Sequence, residues 1–191
     1  YRILYCTTEF SKEEVLDRLI CMRYNIELKE MRRCENGTIE KIMPYLESFK
    51  SSNLYIFDKS NPGLNEIFAI CDDYNIKYLF IDYLQELQMP GKWSEPYEIG
   101  RNVKEIKDFA AKTNTCMIIA SQFKRPLTED GYIPALSDFK GSGKIEEVAW
   151  VALLLRQEQD HLVVHVGKNR FGPKGECRLM CNVLTGELKD V

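Results

Sequence analysis

The segment Lys77-Tyr78-Leu79-Phe80-Ile81-Asp82-Tyr83-Leu84 constrains this chain more than any other. Consecutive apolar residues require that both faces of a strand be buried, as in the middle of a parallel sheet covered by helices. A second such run, Cys116 to Ala120, follows a long amphipathic stretch with Ile99, Val103, Ile106, Phe109 and Ala110 on one side. Buried strands separated by an amphipathic helix point to an α/β architecture.

The flanking segments fit that frame. Arg2 to Thr8 is a short β-prone run. Ser11 and Glu14 form the S-x-x-E of a capping box, and Val15, Leu16, Leu19, Ile20 and Met22 carry a helix to about Tyr24. Asn36-Gly37 reads as a turn, and Thr38 as the cap of a helix bearing Ile39, Ile42, Leu46 and Phe49, with Pro44 distorting its early turns. Asn53 to Phe57 reads as a strand, Asn61-Pro62-Gly63 as a break, and Ile67, Ile70, Cys71 and Tyr74 as a helix face. A polar loop with Pro90, Gly91 and Pro96 precedes the long helix. After the polar stretch Gln122 to Lys144, three β-rich segments close the chain: Ala149 to Leu155, Leu162 to Val166 and Cys177 to Val183. This order predicts an α/β sandwich whose sheet is parallel in its middle and finishes in antiparallel strands or hairpins. The 191 residues suit one domain with a substantial core.

Composition narrows the class only modestly. A net charge of -3 argues against a polybasic nucleic-acid binder, yet a protein acidic overall can still be basic along one functional surface. Seven dispersed cysteines (Cys6, Cys21, Cys34, Cys71, Cys116, Cys177 and Cys181) include no Cys-x-x-Cys pair and read as buried thiols in a reducing compartment. The four-ligand spacing of a zinc site is missing. No apolar run approaches the ~20 residues of a membrane span. The chain opens at Tyr1 without an initiator Met and directly on a core-like strand, which leads us to expect an N-terminally truncated piece of a longer protein.

Three strand ends carry the chemistry. Asp82 emerges from its apolar strand at the edge where ligands bind in open α/β sheets. A carboxylate there can hold Mg²⁺ through its water shell; it can equally cap a loop. ILYCTTE ends in Glu9 and CMIIASQ in Gln122. If these strands are neighbours, a metal-holding Asp, a Glu able to accept a proton from water and an amide able to sense a γ-phosphate share one crevice. Three polar strand ends facing water remain the other reading.

Two further segments carry charge. Lys168 and Arg170 stand two apart, on one face of a strand that ends before the turn Gly172-Pro173-Lys174-Gly175. They suit contact with phosphate, the Arg as a finger, or a solvated hairpin. In Ser137-Asp138-Phe139-Lys140-Gly141-Ser142-Gly143-Lys144, two glycines and two lysines can track a nucleic-acid backbone, or form a plain surface loop. The GSGK within it lacks the G-x-x-x-x-G-K-[ST] frame of a phosphate-binding loop.

The segments CTTEFSKEE, FIDYLQEL, IIASQFKR, SDFKGSGKIEE and VGKNRFGPKGECRL, in that order, resemble the successive motifs of DnaB-type replicative DNA helicases and related phage and mitochondrial ring helicases. The resemblance runs from about Ile3 to Asn182, and GKxRxGPxG disfavours a recombinase or clock ATPase of the same fold. It implies a RecA-like three-layer sandwich, a central mostly parallel sheet with C-terminal antiparallel strands. Such a domain would act in a homo-hexameric, ATP-dependent motor that moves 5′-to-3′ on single-stranded DNA and unwinds duplex. The resemblance implies ATP and Mg²⁺ as cofactors, and primase and a helicase loader as partners. A cytoplasmic setting, bacterial or phage-encoded, follows ahead of an organelle matrix.

Roles follow at matching positions. Glu9 is implied as the general base, Asp82 as the Mg²⁺-holding carboxylate acting through water, and Gln122 as the γ-phosphate sensor. Lys168 and Arg170 are implied to reach the next subunit's nucleotide. Lys140, Gly141, Ser142, Gly143 and Lys144 fall on the DNA-binding loop. Arg125 matches a family Arg without an assigned role. This chain departs from the pattern in FKGSGK, where relatives often carry Arg-Glu before the Ser-Gly, and in Trp150, where an acidic residue is common. The family's phosphate-binding loop is not among these 191 residues. The alternative is a non-catalytic RecA-like module that binds DNA or helicase partners.

Overall fold

A computed structural model describes residues 1–33, 37–124 and 132–191, leaving out within them the side chains of Thr38, Lys41, Ser48, Lys50 and Ser142. The apolar runs become β1 (Ile3–Thr7), β2 (Leu54–Asp58), β3 (Tyr78–Asp82) and β4 (Cys116–Ile119). These pair in parallel in the order β2-β1-β3-β4. Thr7 stands opposite Asp82, and Ile81 opposite Ile119, so β1, β3 and β4 end at one edge of the sheet.

Helices cover this sheet for local reasons the sequence carries. Ser11 caps α1 (Lys12–Tyr24): its Oγ accepts from the Glu14 amide and the Glu14 carboxylate accepts from the Ser11 amide, both at 3.2 Å. Next come α2 (Leu28–Arg33) and α3 (Thr38–Lys50), which contains Pro44. The apolar faces of α4 (Leu64–Asp73) and α5 (Glu95–Thr113) bury Leu64, Ile67, Cys71, Ile99, Val103 and Ile106 in one cluster with Leu4, Cys6, Leu79 and Ile81 of the sheet. Phe68 and Phe109 stack across the two helices with ring centroids 4.0 Å apart. Replacing Leu79, which is fully buried in this cluster, by Ala should lower unfolding free energy by about 2–5 kcal/mol in urea titration. A loss below about 1 kcal/mol would show that the sheet face is not the packed core described here.

The closing strands differ from a simple extension of the parallel sheet. After α6 (Ser142–Val148), β5 (Val151–Glu158), β6 (His161–Asn169), β7 (Gly175–Cys181) and β8 (Leu188–Asp190) form their own four-stranded antiparallel sheet, in that order. A lone antiparallel bridge between Phe123 and Phe139 links the chain leaving β4 to the segment that enters α6. Pro96, expected in the loop, stands instead in the first turn of α5, where its missing N–H has no intrahelical partner to lose.

Burial corrects one smaller expectation. Cys6, Cys21 and Cys71 are buried, and desolvation pushes the Cys6 and Cys71 thiols up to about 12. Cys116 and Cys177 are exposed, so only part of the cysteine set is core; Cys34 lies outside the described residues. Trp93, Tyr97 and Trp150 are all more than half exposed, Trp93 set against Tyr97 and Trp150 against Phe171. Among the described residues no helix is long and apolar enough to cross a membrane.

Candidate functional site

At the shared edge, the residues following β1 fold over the end of β3. The Thr8 amide and hydroxyl both donate to the Asp82 carbonyl at 2.9 Å, and the Tyr83 amide donates to the Thr8 hydroxyl at 3.2 Å. This stitching holds Glu9 and Asp82 beside one another. Glu9 is exposed, and the single proton of the Tyr83 hydroxyl is shared between its Oε1 at 2.9 Å and the Glu86 carboxylate at 3.1 Å. Desolvation, and then these two hydrogen bonds, hold the Tyr83 phenol well above its ordinary value, so it stays a donor at neutral pH. The half-buried Asp82 carboxylate accepts from the Tyr5 hydroxyl at 2.7 Å, and burial and this bond raise the Tyr5 phenol too.

On the other flank, the Ala120 amide donates to the Ile81 carbonyl at 2.9 Å and the Leu84 amide to the Ala120 carbonyl at 3.0 Å. The chain beyond β4 is thereby drawn along the edge, and Gln122 follows with its side chain exposed. Glu9, Asp82 and Gln122 therefore leave three adjacent parallel strands at the same end. Sequence reasoning missed Tyr5, Tyr83 and the buried Gln85. Tyr83 and Gln85 lie inside FIDYLQEL, where polar residues just past the carboxylate are the signal to weigh.

The glycine-rich segment is only partly a loop. Lys140 and Gly141 form a turn, and Ser142, Gly143 and Lys144 are the first turn of α6. Gly141 adopts φ 78°, and a Cβ there would stand 3.0 Å from Ile99, so the turn requires glycine on both counts. Both ammonium groups are engaged by carboxylates: Lys140 by Glu95 at 2.6 Å and Lys144 by Glu147 at 2.7 Å. The Glu147 carboxyl is held below its ordinary range by that Lys144 bond.

Lys168 lies near the end of β6 and Arg170 follows just past it. In the single chain both point at the C-terminal turn of α6. Lys168 Nζ donates to the carbonyls of Glu146 at 2.5 Å and Glu147 at 3.3 Å, and the Arg170 guanidinium donates to the Glu147 carbonyl at 3.1 Å. Cations are favoured there by the free carbonyls and the helix dipole. Among the described residues, the hydrogen bonds of Lys168 and Arg170 lead to α6 and not to the Glu9–Asp82 edge. Arg125 lies outside the described residues.

Among the described residues no cluster of three or more His, Cys, Asp or Glu side chains stands ready to cage a metal. A single carboxylate at a strand end fits magnesium nonetheless, since that ion keeps most of its waters and borrows substrate oxygens.

The chain is similar to known proteins over nearly its whole length. The family model described as DnaB-like helicase C terminal domain matches residues 1–189. A probable plasmid replicative DNA helicase of Chlamydia trachomatis is 26% identical over 180 residues, covering 90% of this chain and 40% of that protein. The replicative DNA helicase DnaB of Leifsonia xyli is 31% identical over 167 residues, covering 81% of this chain and 36% of that protein. The chain thus spans about two-fifths of the length of the curated relatives it matches. Among solved structures, one described as an ATPase domain superposes with TM-score 0.93 at 22% identity, over 100% of this chain and 74% of that one. A DnaB-like replicative helicase, from a study of its interactions with primase, gives 0.92 at 23% identity, over 100% and 50%. The fold is the RecA-like α/β fold of those domains, and the chain belongs to the family of DnaB-like helicase C-terminal domains.

Proposed function

We propose that this domain is the motor of a replicative DNA helicase, coupling Mg-ATP hydrolysis to movement along single-stranded DNA within a ring of like subunits. The observation that carries the reading is the meeting of Glu9, Asp82 and Gln122 at one end of three adjacent parallel strands. Glu9, exposed and steered by the Tyr83 hydroxyl, takes the proton of the attacking water. Asp82, fixed by Tyr5, would hold Mg²⁺ through its water shell. The chemistry that Mg²⁺ would supply at Asp82 is electrostatic stabilisation of the negative charge that develops on the transferred phosphoryl group. Gln122 meets the γ-phosphate with its amide, and Lys168 and Arg170 reach a neighbouring subunit's nucleotide.

Lys140 to Lys144 contact the DNA backbone, their ammonium groups exchanging Glu95 and Glu147 for phosphates. Primase and a loader are the partners this reading carries, and the cytoplasm of a bacterium, or a phage-infected one, its setting.

The test is ATP turnover by the full chain that contains this segment, with and without single-stranded DNA, beside turnover by residues 1–191 alone. The full chain is expected to show Mg²⁺-dependent, DNA-stimulated hydrolysis. The 191-residue chain, which has no G-x-x-x-x-G-K-[ST] frame to cradle a triphosphate, is expected to fall about 10³-fold or more below it. A full chain that binds DNA but never hydrolyses ATP would instead establish the non-catalytic module.

A further inference from the structure

The Gln85 side chain is buried, 8% exposed, and both ends of its amide are used. Its Oε1 accepts from the Gln122 backbone amide at 3.1 Å. Its Nε2 donates to the Ser121 hydroxyl at 2.9 Å and to the Lys140 carbonyl at 3.3 Å. The pattern around it shows what the side chain replaces. Two backbone bonds flank the antiparallel Phe123–Phe139 pair: Lys124 amide to Asp138 carbonyl at 2.6 Å, and Lys140 amide to Gln122 carbonyl at 3.0 Å. In an ordinary antiparallel ladder Gln122 and Lys140 would exchange a second bond, from the Gln122 amide to the Lys140 carbonyl. Here the Gln85 amide is inserted into that bond, accepting from one strand and donating to the other.

We propose that Gln85 is the positioning residue that couples the nucleotide edge to the Lys140–Lys144 segment. It stands three residues past Asp82, on the short 3-10 turn Leu84–Glu86 that β3 feeds directly. A displacement of the Asp82 strand end therefore moves the amide that bonds both Gln122 and Lys140. A direct Gln122–Lys140 bond would need the two backbones to approach, so it would close the gap that the Gln85 amide holds open. Removing the amide leaves the partly buried Gln122 N–H and Lys140 C=O without the partner that holds them at this spacing, and the pair must shift or loosen to recover them. Phe139, 7% exposed and packed against Phe123 with centroids 5.2 Å apart, anchors the segment so that the shift falls on Lys140 and Gly141.

The inference rests on the motor reading, and one set of measurements separates the two. In the full chain, the dissociation constant for a single-stranded oligonucleotide is measured with a non-hydrolysable ATP analogue and with ADP, alongside basal kcat and KM for ATP without DNA. For Gln85→Met the ratio of the two dissociation constants is expected to shrink about fivefold or more, with basal kcat and KM within about twofold of the parent. Gln85→Glu, nearly isosteric, keeps the acceptor for Gln122 but turns a carboxylate oxygen on the Lys140 carbonyl; it is expected to lose the ratio as well, and it serves if the Met variant fails to fold. Ser121→Ala removes one bond outside the relay and is expected to keep the ratio.

A folded Gln85 variant that retains the parent's ratio overturns the inference. So does one whose basal kcat falls in parallel with the ratio, since that is a damaged fold and not a lost coupling. A parent protein whose DNA affinity ignores the nucleotide overturns the motor reading itself, and the coupling with it.

Discussion

Glu9→Gln in the full chain lowers kcat for ATP hydrolysis by about 10²–10⁴-fold while ATP affinity stays within about twofold. The amide is isosteric with the carboxylate and its oxygen still accepts from the Tyr83 hydroxyl, which is 2.9 Å from Glu9 Oε1. The side chain therefore keeps its place and loses only its capacity to take a proton. Neighbouring groups are insulated from the change, because the Thr8–Asp82 bonds that set the local backbone are made by main-chain atoms and the Thr8 hydroxyl. A binding defect without a rate defect would assign Glu9 to nucleotide affinity and remove it from proton transfer. The steady-state comparison needs both kcat and an independent nucleotide titration, since KM alone confounds the two.

The placement of Glu9, Asp82 and Gln122 was legible because each follows a run of apolar residues. An apolar run fixes a strand's burial, burial fixes its place in the middle of the sheet, and parallel pairing brings the polar ends to one edge. Gln85 shows where that reasoning stops. A lone Gln in YLQEL has the look of a solvated turn residue, and its burial depends on contacts such as that with Lys140, 55 positions away. The helices and strand that sequence reasoning missed were hidden for two different reasons. The helix α2 buries no side chain, and β8 is exposed throughout, so neither leaves a periodic apolar signal. The helix α6 begins inside a Gly-Ser-Gly sequence that reads as loop, and its start depends on Gly141 fitting against Ile99 of α5. Lys168 and Arg170 could be seen to share a face, but the carbonyls they meet belong to that hidden helix. Non-local contacts, more than weak propensities, set the limit of the reading.

The engagement of Arg170 by α6 bears on a second large effect. Arg170→Ala should cost the full chain about 10³-fold in kcat with little change in DNA binding, the loss expected when a finger is withdrawn from a developing phosphate charge. In the isolated chain its guanidinium rests on the Glu147 carbonyl at 3.1 Å, a weak neutral acceptor that a phosphate would outcompete. Because the same helix starts at the Lys140–Gly141 turn, withdrawal of Arg170 and Lys168 toward a neighbour's nucleotide would free the C-terminal end of the element whose other end carries the segment proposed to bind DNA. Whether the finger acts on its own subunit or the next is decided by mixing. Glu9→Gln subunits keep the Arg, and Arg170→Ala subunits keep the base. In a random equal mixture of head-to-tail rings, about one interface in four joins an intact Glu9 to an intact Arg170. Turnover in the mixture well above the sum of the two parents is expected if Arg170 serves the next subunit. Turnover equal to that sum would place the Arg on its own subunit's nucleotide, and the contacts it makes with α6 would then have to break within a single chain.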